Sequence, residues 1–242
     1  MEDKIMANIA ILTAGGIGSR THQDIPKQFL NVDNKPIIIY TLEAFQQHPN
    51  IDEICVSILA GWDQILWAYA KQFNITKLKY VVTGGTTGQE SIFNGLKAIR
   101  ANHQNDDVVI VHDGNRPMVS QDIITDSLVK QKQFGSAVAA IPCTEVVFVS
   151  ENGKSSDKSI PRENLRRTQT PHCYTLGELW EAHMRAKELG ITNTPASCSL
   201  MEILGKTTYF SKGSEKNLKI TTVEDIEIFK ALLNAKNDEW IK

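Results

Sequence analysis

A regular alternation of short apolar runs and helix-like stretches between residues 9 and 141 constrains the fold more than any other feature of the sequence. The clearest apolar run, residues 108–111, consists of four consecutive β-branched residues, which is typical of a strand covered on both faces. Further strands are predicted at residues 9–12, 53–59, 80–82 and 137–141, and helices at residues 36–45, 62–73, 89–101 and 123–132. This alternation predicts an α/β fold with a doubly wound, mostly parallel sheet that binds ligands at the carboxyl ends of its strands.

The character of the sequence changes between residues 142 and 169. Residues 146–149 are typical of a strand that enters a turn at residues 151–154, and a polar stretch rich in serine and lysine follows. We interpret this region as a protruding β-arm of a single domain that spans residues 1–242. Beyond the arm, the pattern predicts helices at residues 176–189, 199–204 and 223–235 and a strand at residues 207–210. Thr222 is the expected N-cap of the last helix, with Asp225 in its first turn.

The loop after the first predicted strand, Ala14-Gly15-Gly16-Ile17-Gly18-Ser19-Arg20, holds three glycines within four positions. Glycine lets the backbone lie close to a ligand without Cβ clashes, and successive backbone N–H groups in such a loop bind anions. Arg20 and the nearby Lys27 add fixed positive charge. The loop therefore predicts a phosphate-rich ligand, although the chain lacks the Gly-Lys-Ser/Thr ending of a P-loop.

Three further segments lie where the predicted sheet would place a ligand. In His112-Asp113-Gly114-Asn115-Arg116-Pro117, the carboxylate of Asp113 suits Mg²⁺ and Arg116 suits a phosphate or carboxylate. A simple Asp-Gly turn with a solvated arginine would explain that segment in isolation, but a second phosphate-type loop on the same sheet edge favours binding. The Gly-rich segment 84–91 fits either base and ribose binding or ordinary turn formation. Lys219 is either a cation for an anionic substrate or a surface lysine.

Composition argues against several classes of function. A formal net charge of −2 gives no general attraction for nucleic acid or membranes. No apolar run approaches the ~18–20 residues that span a bilayer, and residues 1–4 do not resemble a signal peptide, so we expect a cytoplasmic protein that starts at Met1 or Met6. The four scattered cysteines lack metal-ligand spacing and are expected to be reduced and buried.

The sequence gives little sign of histidine chemistry. No Gly-x-Ser-x-Gly elbow is present to support a serine–histidine relay. Four histidines in polar surroundings are expected to be solvated: His22, His48, His103 and His183. Three tryptophans at helical positions are expected in the core or at an interface: Trp62, Trp67 and Trp180.

Four motifs occur in a fixed order along the chain. They are Ala14-Gly15-Gly16-x-Gly18-x-Arg20 with Pro26-Lys27-Gln28, His112-Asp113-x-x-Arg116-Pro117, Gln169-Thr170-Pro171 and Asn217-x-Lys219-Ile220-Thr221. With these motifs the chain resembles, from Ala10 to about Ala235, the cytidylyltransferases that form CDP-polyols. One branch of that family acts on ribitol phosphate in teichoic-acid or capsule synthesis, and another acts on methylerythritol phosphate in isoprenoid synthesis. The resemblance implies a Rossmann-like nucleotidyltransferase fold and the condensation of CTP with a polyol phosphate, releasing pyrophosphate.

The resemblance also implies residue roles on the nucleotide side. The residues that would contact the triphosphate, the base or the ribose of CTP are Ala14, Gly15, Gly16, Ile17, Gly18, Gly85, Ser91 and Asp113. The catalytic cations would be Arg20, Lys27 and Lys219, of which Arg20 and Lys27 would neutralise the α-phosphate. Asp113 would hold a Mg²⁺ cofactor between the phosphates.

On the acceptor side, the resemblance implies that Arg116, Thr170 and Lys219 line the polyol-phosphate pocket. Arg162, on the arm, would reach the substrate phosphate of a neighbouring subunit, which implies a homodimer with exchanged arms.

Two departures from the family pattern also lie on the acceptor side. Ala196 stands where the family usually has an aspartate, for which Glu202 is the candidate substitute, and Thr144-Glu145 replaces an Asp-Thr pair at the base of the arm. The Ala-Gly-Gly loop, Pro-Lys-Gln-Phe-Leu and Cys198 resemble the ribitol branch more closely, so ribitol 5-phosphate is the favoured acceptor. The alternatives are 2-C-methyl-D-erythritol 4-phosphate, another polyol or sugar phosphate, and a degenerate CTP-binding module without turnover.

Overall fold

The predicted alternation of strands and helices is confirmed in the computed structural model of the chain, which describes residues 6–16 and 25–235. The strands are β1 (Asn8–Ala14), β2 (Asn31–Val32), β3 (Lys35–Pro36), β4 (Glu53–Ile58), β5 (Leu78–Thr83), β6 (Val108–Asp113), β7 (Ala137–Pro142), β8 (Val147–Val149), β9 (Lys158–Ile160), β10 (Arg166–Thr175) and β11 (Phe210–Lys212). The helices are α1 (Ile37–Gln47), α2 (Asp63–Gln72), α3 (Gly88–Arg100), α4 (Gln121–Phe134), α5 (Leu176–Glu188), α6 (Ser197–Ile203) and α7 (Val223–Ala235).

The main sheet of the described residues has seven strands in the order β11-β7-β10-β6-β1-β4-β5. All neighbours pair in parallel except β10, which is antiparallel to both β6 and β7. β1 lies at the centre, where Ile11 is in register with Cys55 on one side and Val111 on the other. The loops that follow β1, β4, β5 and β6 therefore emerge at one edge of the sheet, as predicted for a ligand site.

Both faces of this sheet are covered by helices. On β1, Ala10 and Leu12 pack into a cluster with α1, α2 and α4, whereas Ile9 and Ile11 pack into a cluster with α3, α5 and α6. This two-sided burial explains why residues 9–12 of β1 and 108–111 of β6 are continuously apolar instead of alternating with polar residues. A third cluster, which includes Ile220 and Phe229, joins α7 to the start of α1.

The predicted arm contains a separate two-stranded sheet in which β8 pairs antiparallel with β9, from Val147↔Ile160 to Val149↔Lys158. Its large apolar side chains are exposed, with Val146 at 69% and Phe148 at 57%. Residues 166–169 of the predicted arm belong instead to β10 of the main sheet. The use of the arm in dimerisation stays a prediction.

Several expectations about secondary structure need correction. The strand predicted at residues 207–210 is β11 at Phe210–Lys212, and the helix predicted at 199–204 is α6, which begins at Ser197. The late N-cap agrees with its prediction, because Thr222 Oγ1 accepts a hydrogen bond from Asp225 N at 3.4 Å. No helix in residues 6–16 and 25–235 is long and apolar enough to cross a bilayer.

The expectation of solvated histidines is wrong for three of the four residues, and His22 lies outside the described residues. His48 is 1% and His183 is 5% exposed. His103 bonds to the carboxylates of Glu53 at 3.0 Å and Asp107 at 3.2 Å. Local polarity misled here because a histidine's neighbours in sequence differ from its neighbours in space: His183 lies within α5 and packs against Phe93, and His103 meets Glu53 of β4.

The cysteine expectation agrees with the structure, since Cys55, Cys143, Cys173 and Cys198 are free thiols and all are buried. The tryptophan expectation of a core position holds for Trp62 and Trp180, which pack against the core clusters. Trp67 is 42% exposed on α2, so it lies outside the core and its place at an interface stays a prediction.

Candidate active site

A cleft of about 610 Å³ lies at the carboxyl edge of the sheet. The predicted site residues that line it are Ala14, Gly15, Gly16, Lys27, Gly85, Ser91, Asp113, Arg116, Thr170 and Lys219. Arg162 lies outside the cleft, on the arm, where its Nη1 donates to the Thr144 carbonyl at 3.3 Å. Ile17, Gly18 and Arg20 lie outside the described residues. Thus segments up to 205 residues apart in sequence converge on one cleft (Ala14 and Lys219).

The first glycine-rich loop is held in place by the segment that carries Lys27. Pro26 precedes a single 3-10 turn, Lys27–Phe29, closed by Leu30 N on Lys27 O at 3.1 Å. The next side chain, Gln28, is buried and donates from Nε2 to the Ala14 carbonyl at 2.6 Å. Phe29 then stacks on Trp62 with ring centroids 4.4 Å apart. These contacts fix the turn, and the turn presents Lys27 to the cleft.

The second glycine-rich loop lies against the first. A Cβ on Gly84 would come within 3.3 Å of the Gly15 Cα, so any larger residue there would crowd the first loop. Gly85 N donates to Ser91 Oγ at 3.0 Å, and Ser91 Oγ donates to the Thr87 carbonyl at 2.9 Å. Ser91 therefore shapes the loop from beneath. The two explanations of this segment, turn formation and ligand binding, are compatible.

The charges of the cleft centre on Asp113, at the end of β6. Its Oδ2 accepts from Arg116 Nε at 2.9 Å, and its Oδ1 accepts from Lys219 Nζ at 3.1 Å. Burial by itself would raise the pKa of the carboxyl, but Lys219 and Arg116 outweigh it and lower the pKa of Asp113 to about 2. The aspartate is therefore ionised at neutral pH, and it holds two cations beside the glycine-rich loops.

Behind Asp113, a buried hydrogen-bond chain fixes the end of β6. Asp113 N donates to Thr170 Oγ1 at 3.0 Å, and Thr170 Oγ1 lies 2.9 Å from His112 Nδ1. His112 Nε2 lies 3.3 Å from the Arg116 carbonyl, which can only accept, so Nε2 carries the proton and Nδ1 accepts from Thr170. Burial lowers the pKa of His112 to about 3, so the ring is neutral and structural.

The loop that carries Lys219 is anchored by two buried asparagines. Asn115 Nδ2 donates to the Ile220 carbonyl at 2.5 Å, and Ile220 N donates back to the Asn115 carbonyl at 2.9 Å. Asn217 Nδ2 donates to the Thr170 carbonyl at 2.8 Å, while the Asn217 carbonyl accepts from Arg116 Nη1 at 2.7 Å. Both asparagines lie within the sequence motifs, but the sequence predicted no role for them, because only the fold shows which backbone groups they hydrogen-bond.

The opposite wall of the cleft is formed by small and hydroxyl-bearing side chains. They are Thr168, Thr194, Pro195, Ala196, Ser197 and Ser199. Ala196 is the N-cap of α6 and supplies no side-chain cap. Glu202 is exposed and lies outside the cleft, so it is not the substitute carboxylate that the sequence suggested, and Thr144-Glu145 also lies outside the lining.

Whether the site suits Mg²⁺ depends on its carboxylates. Asp113 is the only acidic residue among the described residues that line the cleft, and these residues contain no cluster of three metal-ligating side chains. Proteins usually hold Mg²⁺ by one or two carboxylates together with substrate phosphates. An ionised Asp113 facing a phosphate site fits that mode of binding, in which the ion arrives with the nucleotide.

Comparisons of sequence and structure with known proteins identify the family of the chain. Residues 8–235 match the family described as 2-C-methyl-D-erythritol 4-phosphate cytidylyltransferase (IspD). A ribitol-5-phosphate cytidylyltransferase of Lacticaseibacillus paracasei is 42% identical over 94% of this chain and 98% of the relative. A 2-C-methyl-D-erythritol 4-phosphate cytidylyltransferase of Clostridium tetani is 35% identical over 97% of this chain and 95% of the relative. The solved structure of the Francisella tularensis 2-C-methyl-D-erythritol 4-phosphate cytidylyltransferase superposes with a TM-score of 0.77 at 32% identity, covering 93% of this chain and 99% of that one.

The fold and the cleft thus define a nucleotidyltransferase enzyme. The chain belongs to the IspD cytidylyltransferase family, as its sequence motifs predicted. Enzymes of this family act on CTP and a sugar-alcohol phosphate. The relatives are named for two different acceptors, ribitol 5-phosphate and 2-C-methyl-D-erythritol 4-phosphate.

Proposed function

We propose that this chain condenses CTP with ribitol 5-phosphate to give CDP-ribitol and pyrophosphate. The observation that carries nucleotidyl transfer is that Lys27, the Asp113–Arg116–Lys219 group and both glycine-rich loops line one cleft. Such a cleft presents preorganised positive charge to a triphosphate and to a second phosphate.

Ribitol 5-phosphate as the acceptor is supported by the relatives and by the cleft wall. Relatives named ribitol-5-phosphate cytidylyltransferase are 42% identical in Lacticaseibacillus paracasei and 38% identical in Vibrio parahaemolyticus. The wall around Ala196 carries the hydroxyls of Thr168, Ser197 and Ser199 in place of a carboxylate. Hydroxyl groups can both donate to and accept from the hydroxyls of a linear polyol.

The reaction needs charge neutralisation more than acid–base chemistry. A phosphate oxygen of ribitol 5-phosphate is already an anionic nucleophile, and it would form a bond to the α-phosphorus of CTP while the bond to the pyrophosphate oxygen breaks in line. Burial lowers the pKa of His112, behind the cleft, to about 3 and that of His172, in the cleft lining, to about 4, so neither acts as a charged acid at neutral pH. Lys27, together with Arg20, would neutralise the α-phosphate as charge builds there.

On the acceptor side, Arg116 and Lys219 would bind the incoming phosphate. Each cation uses only part of its hydrogen-bonding capacity on Asp113, because an ammonium has three donors and a guanidinium has five. Asp113 would hold Mg²⁺, which when bound supplies further neutralisation of the triphosphate. The Asp113 side chain would thus orient Mg²⁺ towards the triphosphate of CTP, and Arg116 and Lys219 towards the phosphate of the acceptor.

The proposal extends to assembly and location. The exposed Val146 and Phe148 of the arm, with Arg162 at its base, support a homodimer in which arms are exchanged and Arg162 serves the neighbouring site. Four free buried thiols are compatible with a cytoplasmic enzyme.

Methylerythritol phosphate is the second candidate acceptor, supported by the description of the matched family and by the Clostridium tetani relative. Pyrophosphate release from CTP and Mg²⁺ with a panel of polyol and sugar phosphates tests both candidates. We expect release with ribitol 5-phosphate above all others. If no acceptor supports pyrophosphate release although the protein still binds CTP, the enzymatic proposal is contradicted and a binding module is favoured.

A further inference from the structure

The segment between α5 and α6 forms one wall of the cleft without regular secondary structure. Residues 191–196 lie outside every helix and strand, yet Thr194, Pro195 and Ala196 line the cleft. A segment without a ladder of backbone hydrogen bonds needs other partners for its polar groups. The position of this wall therefore depends on what those partners are.

The main partner is the side chain of Gln89, which is 9% exposed. Its Nε2 donates to the Ile191 carbonyl at 2.7 Å. Its Oε1 accepts from both Thr194 N at 3.0 Å and Thr194 Oγ1 at 3.1 Å. The Gln89 amide thus hydrogen-bonds to the segment at two residues, Ile191 and Thr194.

Gln89 lies in the first turn of α3, directly after the second glycine-rich loop. The N-cap of the same helix, Thr87, adds a weaker bond from its Oγ1 to the Thr192 carbonyl at 3.3 Å. The wall is consequently attached to the helix that carries Ser91 and follows the Gly85 loop, on the nucleotide side of the cleft.

The far end of the wall is attached to β10 instead. His172 Nδ1 lies 2.7 Å from Ser197 Oγ, and His172 Nε2 lies 2.9 Å from the Gln169 carbonyl. Pro195 and Ala196 therefore span between two anchors, Gln89 on α3 and His172 on β10.

We propose that Gln89 is a positioning residue that fixes the acceptor wall of the cleft relative to the nucleotide loop. This inference rests on the proposed function only in taking the Ala196 wall as the acceptor side. The nucleotide loop has its own supports, since Ser91 Oγ bonds to both Gly85 N and the Thr87 carbonyl. Loss of the Gln89 amide therefore frees the wall and leaves the loop in place.

The matched pair of variants is Gln89→Met and Gln46→Met. Gln46 uses its amide in a similar way far from the cleft, donating to Thr76 Oγ1 at 3.0 Å and accepting from Lys77 N at 2.8 Å. Methionine keeps the length of each side chain and removes its hydrogen bonds. A difference between the two variants can then be attributed to where the lost amide lies in the structure, because both variants lose the same chemical group.

Hydrogen exchange followed by mass spectrometry tests the anchor without any need for turnover. In Gln89→Met we expect exchange in residues 192–197 to accelerate about 10-fold or more, because the Thr194 amide loses its acceptor. In Gln89→Met, exchange in residues 84–91 should match wild type. In the Gln46→Met control, exchange should match wild type in both regions, residues 84–91 and 192–197. Unchanged exchange in residues 192–197 would overturn the inference, even if the enzyme proves to use a different acceptor.

Kinetics test the consequence with whichever acceptor wild type uses. The acceptor KM of Gln89→Met should rise roughly 10-fold, while the CTP dissociation constant from calorimetry stays within about 2-fold of wild type. An equal loss of CTP affinity would show that Gln89 serves the nucleotide and would contradict the proposal. Thr194→Val removes only the hydroxyl bond to Gln89, so exchange in residues 192–197 and the acceptor KM should both rise, by less than in Gln89→Met. This second variant keeps the test available if Gln89→Met does not fold.

Discussion

At the scale of single residues, the cleft is organised by a balance of charge around Asp113. Two cations on one ionised carboxylate leave the group with a net positive charge, which suits phosphate ligands. The pKa of Asp113 falls to about 2, so this arrangement persists throughout the neutral range. The neutral histidines beneath it hold the backbone and leave the charge balance unchanged.

Lys27 gives the sharpest test at this scale. We expect Lys27→Ala to lose turnover by about 10²-fold or more, because the cation proposed to neutralise the α-phosphate is removed while the turn closed by Leu30 stays. Steady-state pyrophosphate release measures the loss, and circular dichroism checks that the fold survives.

The matched control for that variant is Lys79→Ala, which removes an exposed lysine of β5. It should retain wild-type turnover. Near-normal turnover of a folded Lys27→Ala enzyme would contradict the assignment of the cleft.

Motif residues and supporting residues differ in how far sequence could reveal them. Lys27 could be proposed from its place near the first glycine-rich loop, and Asp113 and Arg116 from theirs at the same sheet edge. The residues alone left Lys219 open between a substrate cation and a surface lysine, and only the family resemblance gave it a role. Gln89 could not be proposed, because a glutamine on a helix is ordinary until its partners, more than 100 residues away, are known.

At the scale of secondary-structure elements, the packing of α3 against α5 carries a pH dependence. His183 of α5 stacks on Phe93 of α3 with centroids 5.4 Å apart, and its Nε2 has no hydrogen-bond partner among the described residues. Burial lowers the pKa of His183 from 6.5 to about 4. The folded protein therefore holds a neutral ring that the unfolded chain protonates below pH 6.5.

The sign of the effect follows from proton linkage. Stability is full above about pH 6.5 and declines as the pH falls towards 4, because the unfolded state binds the extra proton. His183→Phe keeps the stacking and cannot titrate, so the decline in unfolding free energy between pH 7 and pH 4.5 should shrink by on the order of 2 kcal/mol.

Urea unfolding at several pH values measures this difference. His112 and His172 are buried and neutral as well, so part of the decline should remain in the variant. An unchanged decline in His183→Phe would contradict the account of this interface.

Elements buried on both faces could be located from sequence with small boundary errors, as β1, β4 and β6 show. The strand β10 was missed altogether, because its residues, RRTQTPHCYT, show neither an apolar run nor a regular alternation. β11 was misplaced because it is a three-residue edge strand whose burial pattern alternates only once. Short edge strands leave too little periodicity to fix their limits.

At the scale of the whole molecule, the proposed arm exchange predicts complementation between two inactive variants. In a heterodimer of Arg162→Ala and Lys27→Ala subunits, one site would combine an intact Lys27 with the partner's intact arm. We expect this heterodimer, purified with two affinity tags, to recover about half of the wild-type dimer's activity, since one of two sites is complete.

The two homodimers serve as controls and should both be impaired. If Arg162 acted on its own subunit, both sites of the heterodimer would stay defective. Activity no higher than the sum of the homodimer values would therefore contradict arm exchange.

The central claim is that the cleft transfers the cytidylyl group of CTP to ribitol 5-phosphate. Competition tests it most directly: CTP and Mg²⁺ are mixed with equal concentrations of ribitol 5-phosphate and 2-C-methyl-D-erythritol 4-phosphate, and both CDP products are quantified at early times. Their ratio equals the ratio of the two kcat/KM values. We predict that CDP-ribitol predominates by about 10-fold or more. Predominance of the methylerythritol product would contradict the claim.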